Sequence, residues 1–196
     1  MEGYKKLLSY KLTLIQFCLT WEFVPNYYFK LEDGRQRDQI KQASRSKKQN
    51  LAEGSEERSL STKLKLYDVA RSSGGELTED YEDILRLERL PRWNKNDYRL
   101  LALRRKVEIY DPSCSFGPSC PSCSSVLETL GIRRTRGTRW TRMEIEIIVN
   151  YLLDLNIRSN YLLDQQIRAV EEKHQTEGGY NENLLKKRLN YLKRKK

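Results

Sequence analysis

Apolar residues recur at intervals of three and four along four long segments of this chain, and no segment alternates with a period of two. Such a sequence can bury itself only as packed helices. Leu7, Leu8, Leu12, Ile15, Leu19 and Phe23 predict a first helix from Tyr4 to Val24. Pro25 and the aromatic run Asn26-Tyr27-Tyr28-Phe29 lead from it to a turn at Glu32-Asp33-Gly34. A second helix is expected from Arg35 to Ala52, with Ile40, Ala43, Ser44 and Leu51 on one side, Lys41, Arg45 and Lys48 on others, and Gly54 to close it. Ser59 or Ser61 can cap a third that runs to about Leu90 through Leu64, Tyr67, Ala70, Leu77, Tyr81, Ile84 and Leu85. Inside it, Gly74-Gly75 weakens the helix by about 1 kcal/mol per glycine relative to alanine and predicts a bend. Pro91 and Trp93 break the pattern, and a short basic helix follows from Asp97 to Lys106.

From Val107 to Gly131 the chain turns rich in Ser, Pro, Gly and Cys and reads as loop. A last long helix is expected from Thr141 or Met143 to Glu177, with Gly178-Gly179 as its C-cap. Ile148, Leu152, Leu155, Tyr161 or Leu162, and Ile167 form its apolar stripe, while Asp154, Arg158, Gln165 and Arg168 face out. The expected fold is all-α: an antiparallel four-helix bundle with an extra short helix, an irregular insert and a basic C-terminal tail. Along the chain this places three helices and the short basic one in 1–106, the insert in 107–142, the fourth bundle helix in 143–179 and the tail in 180–196.

Within the last helix, Asn-Tyr-Leu-Leu-Asp occurs twice, starting at Asn150 and at Asn160. At roughly 100° per residue, an offset of ten residues leaves the second copy about 80° short of three full turns, so the two cannot present one surface twice. The second copy is assigned to the core, with Asp164 on its margin.

Basic charge is concentrated rather than spread. Arg133 to Arg142 holds five arginines and no acid, and Lys186 to Lys196 holds seven basic residues and no acid. Together these segments carry +12, which leaves the rest of the chain at −2 against a total of +10. Local basicity of this kind is what a polyanion recognises. In the first segment, Arg133, Arg134, Arg136, Arg139 and Arg142 can grip phosphates bidentately and Trp140 can stack on an unpaired base; the alternative is a solvated connector. About six such phosphate contacts would make binding fall on the order of a thousandfold between 50 and 200 mM salt. Lys41, Arg45, Lys47 and Lys48 on the second helix form another candidate cluster, read evenly as phosphate contacts or as an ordinary solvated face.

Cys114, Cys120 and Cys123 contain one element of a zinc knuckle, but a closed zinc site needs four ligands and the one histidine, His174, lies on a distant helix; no metal is expected. No nucleophile with a base beside it and no phosphate-cradling glycine loop appears, so neither enzymatic activity nor a cofactor is expected. Asp80, Glu82 and Asp83 read as helix-surface charges. The sparse cysteines point to a reducing cytoplasm, the basic, apolar N-terminus lacks a small-residue cleavage site, and no apolar run is long enough to span a membrane.

Three strings carry a resemblance: DQIKQASRSKKQNLAEGS from Asp38 to Ser55, KLKLYDVARSSGGELTEDYEDIL from Lys63 to Leu85, and NYLLDQQIRAVEEKHQTEGGY from Asn160 to Tyr180. In this order they resemble the bacterial four helix bundle suffix proteins, which are similar to the proteins encoded by intervening sequences in large-subunit ribosomal RNA genes and to the accessory variability determinant of diversity-generating retroelements. The resemblance covers about two thirds of the chain. It implies a four-helix bundle assembling as a homopentamer, a basic surface that binds nucleic acid, RNA ahead of DNA, and a reverse transcriptase as a partner. The chain departs from the pattern at Lys47, where the family usually has a small residue, at Gly74-Gly75, and throughout Val107 to Asn150. The function expected is therefore a non-enzymatic, homo-oligomeric nucleic-acid-binding accessory protein; a protein-interaction scaffold of the same family is the alternative.

Overall fold

A computed structural model describes residues 3–107, 126–128, 130–132 and 139–194. Among these the fold is all-α, with no strand. The helices are α1 (Leu8–Tyr27), α2 (Gly34–Glu56), α3 (Leu60–Leu87), α4 (Tyr98–Val107), α5 (Arg142–Glu177) and α6 (Tyr180–Arg194), with single 3-10 turns at Gly3–Lys6 and Leu31–Asp33.

Local chemistry explains the boundaries. The Ser59 hydroxyl accepts from the Thr62 amide and opens α3. Thr141 and Glu144 form a reciprocal capping box at the start of α5, satisfying two amides that would otherwise be orphaned. Arg89, at φ 52°, takes the left-handed conformation that ends α3, and its neighbour Leu90 donates back to the Leu85 carbonyl at 2.8 Å. Two expected ends move. Pro25 sits inside the last turn of α1, where so near the end little of the helix is interrupted. Gly54 does not stop α2 but lies buried within it, because a Cβ there would stand 2.7 Å from the Tyr67 ring of α3. The expected tail is itself a helix, α6, whose Leu184, Leu185, Leu189 and Leu192 are exposed.

Each of the four long helices packs against two others: α1 on α2 and α5, and α3 on α2 and α5. Cross-helix hydrogen bonds give the directions. Ser9 pairs with Gln166, Gln16 with Asn156 and Phe23 with Trp140, so α1 and α5 run opposite ways. Gln36 pairs with Asp80, Ser46 with Ser73 and Ser55 with Tyr67, so α2 and α3 do too. Apolar clusters fill both ends of the interior. One gathers Leu19, Phe23, Ile40, Tyr81, Ile84, Ile148 and Leu152; the other gathers Leu14, Leu51, Tyr67, Ala70, Leu163 and Ile167. Val126, Leu127, Leu130 and Ile132, which fall in the stretch expected to be irregular, join the first cluster.

Between the two clusters lies a polar layer to which all four long helices contribute. The Lys47 ammonium of α2 donates to Asn156 Oδ1 at 2.6 Å, Ser159 Oγ at 2.7 Å and Gln16 Oε1 at 3.3 Å. Asn156 in turn donates to the Gly74 carbonyl at 2.7 Å and to Thr78 Oγ1 at 2.8 Å on α3. Thr20 and Tyr81 share a hydrogen bond of 2.6 Å beside it. Lys47 is fully buried, which corrects its assignment to a phosphate-binding cluster. The reason is helical register: seven residues after Ile40 and four before Leu51, it stands in the inward stripe. Burial pushes its pKa down to about 7, while three acceptors match the three donors of the ammonium.

The same layer accounts for Gly74. A Cβ at that position would stand 2.3 Å from Asn160 Oδ1, so glycine is what lets α3 and α5 approach here. The helix continues without interruption through Gly74-Gly75.

Candidate nucleic-acid interface

On α2, Lys41, Arg45 and Lys48 stand at i, i+4 and i+7 and so share one face. Arg45 is exposed, and the two lysines are half-buried because aromatic side chains of α1 lie beneath them. The Lys41 ammonium sits 4.2 Å from the centre of the Trp21 ring, and that of Lys48 sits 3.7 Å from the centre of the Phe17 ring. Phe17 and Trp21 are themselves in contact, their ring centres 5.4 Å apart and tilted by 43°. The result is a strip in which cations lie over aromatic faces, an arrangement that holds long side chains in place. Burial lowers the Lys48 pKa, as does Arg45, with Cys18 opposing.

The arginine-rich segment divides. Arg133, Arg134 and Arg136 lie outside the described residues, as do Cys114, Cys120 and Cys123. The Arg139 guanidinium covers the Phe29 ring at 4.3 Å, near the end of the molecule where α1 turns into α2 and therefore toward the Lys41 end of the strip. Trp140 does not face solvent. It is buried, its indole N–H donates to the Phe23 carbonyl at 3.0 Å, and its ring packs on that of Phe23, so it cannot stack on a base without leaving the core. This corrects its reading as a stacking platform: a large apolar ring next to a helix start is more stable sealing the interior, provided its N–H finds an acceptor. Arg142 donates to the Arg89 carbonyl at 3.0 Å and closes the end of α3 while staying exposed.

The acidic group on α3 is also not simply surface. Asp80 is buried and accepts from Gln36 at 3.2 Å, and burial first, with Asp83 and Glu76 adding, raises its pKa to about 6. Glu82 holds Arg86 at 2.9 Å and also Arg92, which ties the acidic face of α3 to the segment leading into α4. Among the described residues, no three His, Cys, Asp or Glu side chains are gathered as a metal would need, and no helix is long and apolar enough to cross a membrane.

The aromatic floor of the strip could have been found in the sequence. Phe17 and Trp21 are one turn apart on α1, on a face different from that of Leu12, Ile15 and Leu19, and amphipathic spacing alone leaves them without a core partner. No known protein-family model matches this chain, and neither does any curated protein or solved structure.

Proposed function

We propose that the chain is a non-enzymatic nucleic-acid-binding protein, an antiparallel four-helix bundle that uses the strip of Lys41, Arg45 and Lys48 to bind phosphates. The observation that carries this reading is the strip itself: three cations on one helix face, two of them held over aromatic rings, in a chain of net charge +10. Cations one turn apart can follow a phosphate backbone and release its counterions. Arg139 and Arg142 would extend the contact beyond one end of α2; Arg133, Arg134 and Arg136, outside the described residues, are further candidates by sequence. The resemblance to the ribosomal-RNA intervening-sequence proteins and retroelement accessory determinants supports RNA as the first ligand to try, homopentameric assembly and a reverse transcriptase as partner.

Filter binding to single-stranded RNA and to duplex DNA across a salt series tests the proposal. Binding at low salt that weakens steeply with added salt, and that K41E/R45E/K48E abolishes, is the expected result; no binding at low salt overturns it. Light scattering tests the assembly, and a monomer would overturn the pentamer.

A second reading, a protein-interaction scaffold, is favoured by α6, which turns Leu184, Leu185, Leu189 and Leu192 to solvent with no core beneath them. Failure to bind nucleic acid together with a defined oligomer would select it.

A further inference from the structure

A cleft of about 990 Å³ opens between α5 and the segment that joins α3 to α4, away from the α2 strip. Its α5 wall is one helix face, on which Asn150, Leu153, Asp154, Ile157, Arg158 and Tyr161 follow one another at helical spacing. The facing wall carries Arg92, Trp93, Lys95 and Leu100, and Leu8 at the start of α1 lies at one edge.

This facing wall is held firmly. The Trp93 amide donates to Asn150 Oδ1 at 2.7 Å, its indole N–H donates to Glu146 at 2.7 Å, and the Arg99 guanidinium covers its ring at 3.9 Å. Asn150 also donates to the Pro91 carbonyl at 3.0 Å. Each polar group at the bottom of the cleft thus has a protein partner, and the shape of the cleft is set before any ligand arrives.

Two properties define what such a site would take. Four cations line it, Arg92, Lys95, Arg104 and Arg158, against one carboxylate, Asp154. Arg104 and Arg158 both lie on that carboxylate, and Arg92 lies on Glu82, so the local balance is positive even after pairing. Exposed large apolar side chains also gather there: Leu8 is 51% exposed, Ile157 45% and Tyr161 63%. A ligand that satisfies both carries an anionic group and a flat apolar body. An acyl chain would call for an enclosed apolar tunnel, whereas this cleft is open and its rim offers the amides of Asn94 and Asn96.

We infer that the cleft holds one unpaired nucleotide of a single-stranded nucleic acid, its base against Tyr161 and Ile157 and its phosphate among the rim cations. The inference rests on the nucleic-acid reading above and adds strand selectivity to it: the α2 strip grips any phosphate backbone, while the cleft admits only a base free of its pair.

The test uses the full chain, a fluorescein-labelled oligouridylate and a labelled RNA duplex of equal length, followed by anisotropy at low salt. Tyr161→Ala should weaken single-strand binding about 5- to 150-fold, the range expected for loss of one base stack, and leave duplex binding unchanged. Lys95→Glu should weaken the single strand in the same sense. K41E/R45E/K48E should weaken both ligands together. Because Tyr161 is exposed, its variant should melt with the wild type, which separates lost binding from lost folding. Wild-type binding of the single strand that Tyr161→Ala and Lys95→Glu leave intact overturns the cleft and spares the strip. Wild-type protein that binds neither ligand overturns both. Displacement of the oligonucleotide by oleate but not by unlabelled oligouridylate would overturn the assignment of ligand class.

Discussion

The two copies of Asn-Tyr-Leu-Leu-Asp on α5 have the same letters and different environments. In the first, every residue is buried: Asn150, Tyr151, Leu152, Leu153 and Asp154. In the second, Leu163 is fully buried, Asn160, Leu162 and Asp164 are partly covered, and Tyr161 is 63% exposed. Leu163 is in the core and Asp164 on its margin as expected, but Tyr161, expected inside, is exposed, and Asp154, expected to face out, is buried. An offset of ten residues turned the second copy by the angle that helical geometry requires, but the first copy is wrapped on more sides. The connector at Pro91 and Trp93 and helix α4 cover it, and Arg104 of α4 holds Asp154 through Nε at 3.0 Å. Among the described residues the connector and α4 do not extend to the second copy, whose Asp164 pairs with Arg71 at 3.6 Å through side chains 43% and 58% exposed. What a side chain contributes here is decided by which neighbours arrive, not by its local spelling.

The comparison can be broken most directly by truncating the tyrosines. Tyr151→Ala should destabilise the protein by about 3–5 kcal/mol, as for other fully buried aromatics, whereas Tyr161→Ala should change stability by less than about 0.5 kcal/mol. Urea unfolding of both variants checks this, and similar losses for the two would erase the distinction.

Next in size is a pH effect centred on Lys47, which meets α5 between the copies at Asn156 and Ser159. Its folded pKa of about 7 lies below the unfolded 10.5, so across that window the unfolded chain binds a proton that the native chain does not. Stability from this group should therefore be flat below pH 7 and rise with pH above it, by about 3 kcal/mol up to roughly pH 9.5. Subtracting the profile of Lys47→Met isolates the effect; parallel profiles for the two proteins would refute it.

The paired aspartates come third. Asp154→Ala leaves a largely buried guanidinium without its carboxylate and should cost about 2–3 kcal/mol. Asp164→Ala should cost less than about 1 kcal/mol, since its pair is exposed and 3.6 Å long. Thermal melts rank the two. The smallest effect expected is on salt: 0.5 M NaCl should shrink the Asp164 difference and leave that of Asp154 nearly intact, because screening acts on the exposed pair.

How much of this was readable in advance depended on how local the cause was. Ser59, and Thr141 with Glu144, announce helix starts because a cap is settled within four residues. The inward stripe of α2 was equally available and, followed strictly, would have carried Lys47 inside with Ile40 and Leu51; its charge argued against a position that register had already assigned. Trp140 could not be placed from sequence, since its burial depends on Phe23, more than a hundred residues away. The cleft was invisible for the same reason: its walls are Trp93 and a face of α5 joined through Asn150. The α6 helix was hidden by its own charge, which read as a basic tail, although Leu184, Leu185, Leu189 and Leu192 repeat at helical spacing.

The polar layer at Lys47 has a bearing on when this protein folds as well as on what it folds into. Gln16, Lys47, Thr78 and Asn156 come from four helices, and no pair of helices can satisfy the group alone. Two helices meeting early would bury some of these groups without partners, so the layer can close only after the last helix has docked. Substitutions such as Asn156→Ala should then leave the refolding rate almost untouched and act on the unfolding rate, making this layer the latch that sets the lifetime of the native state.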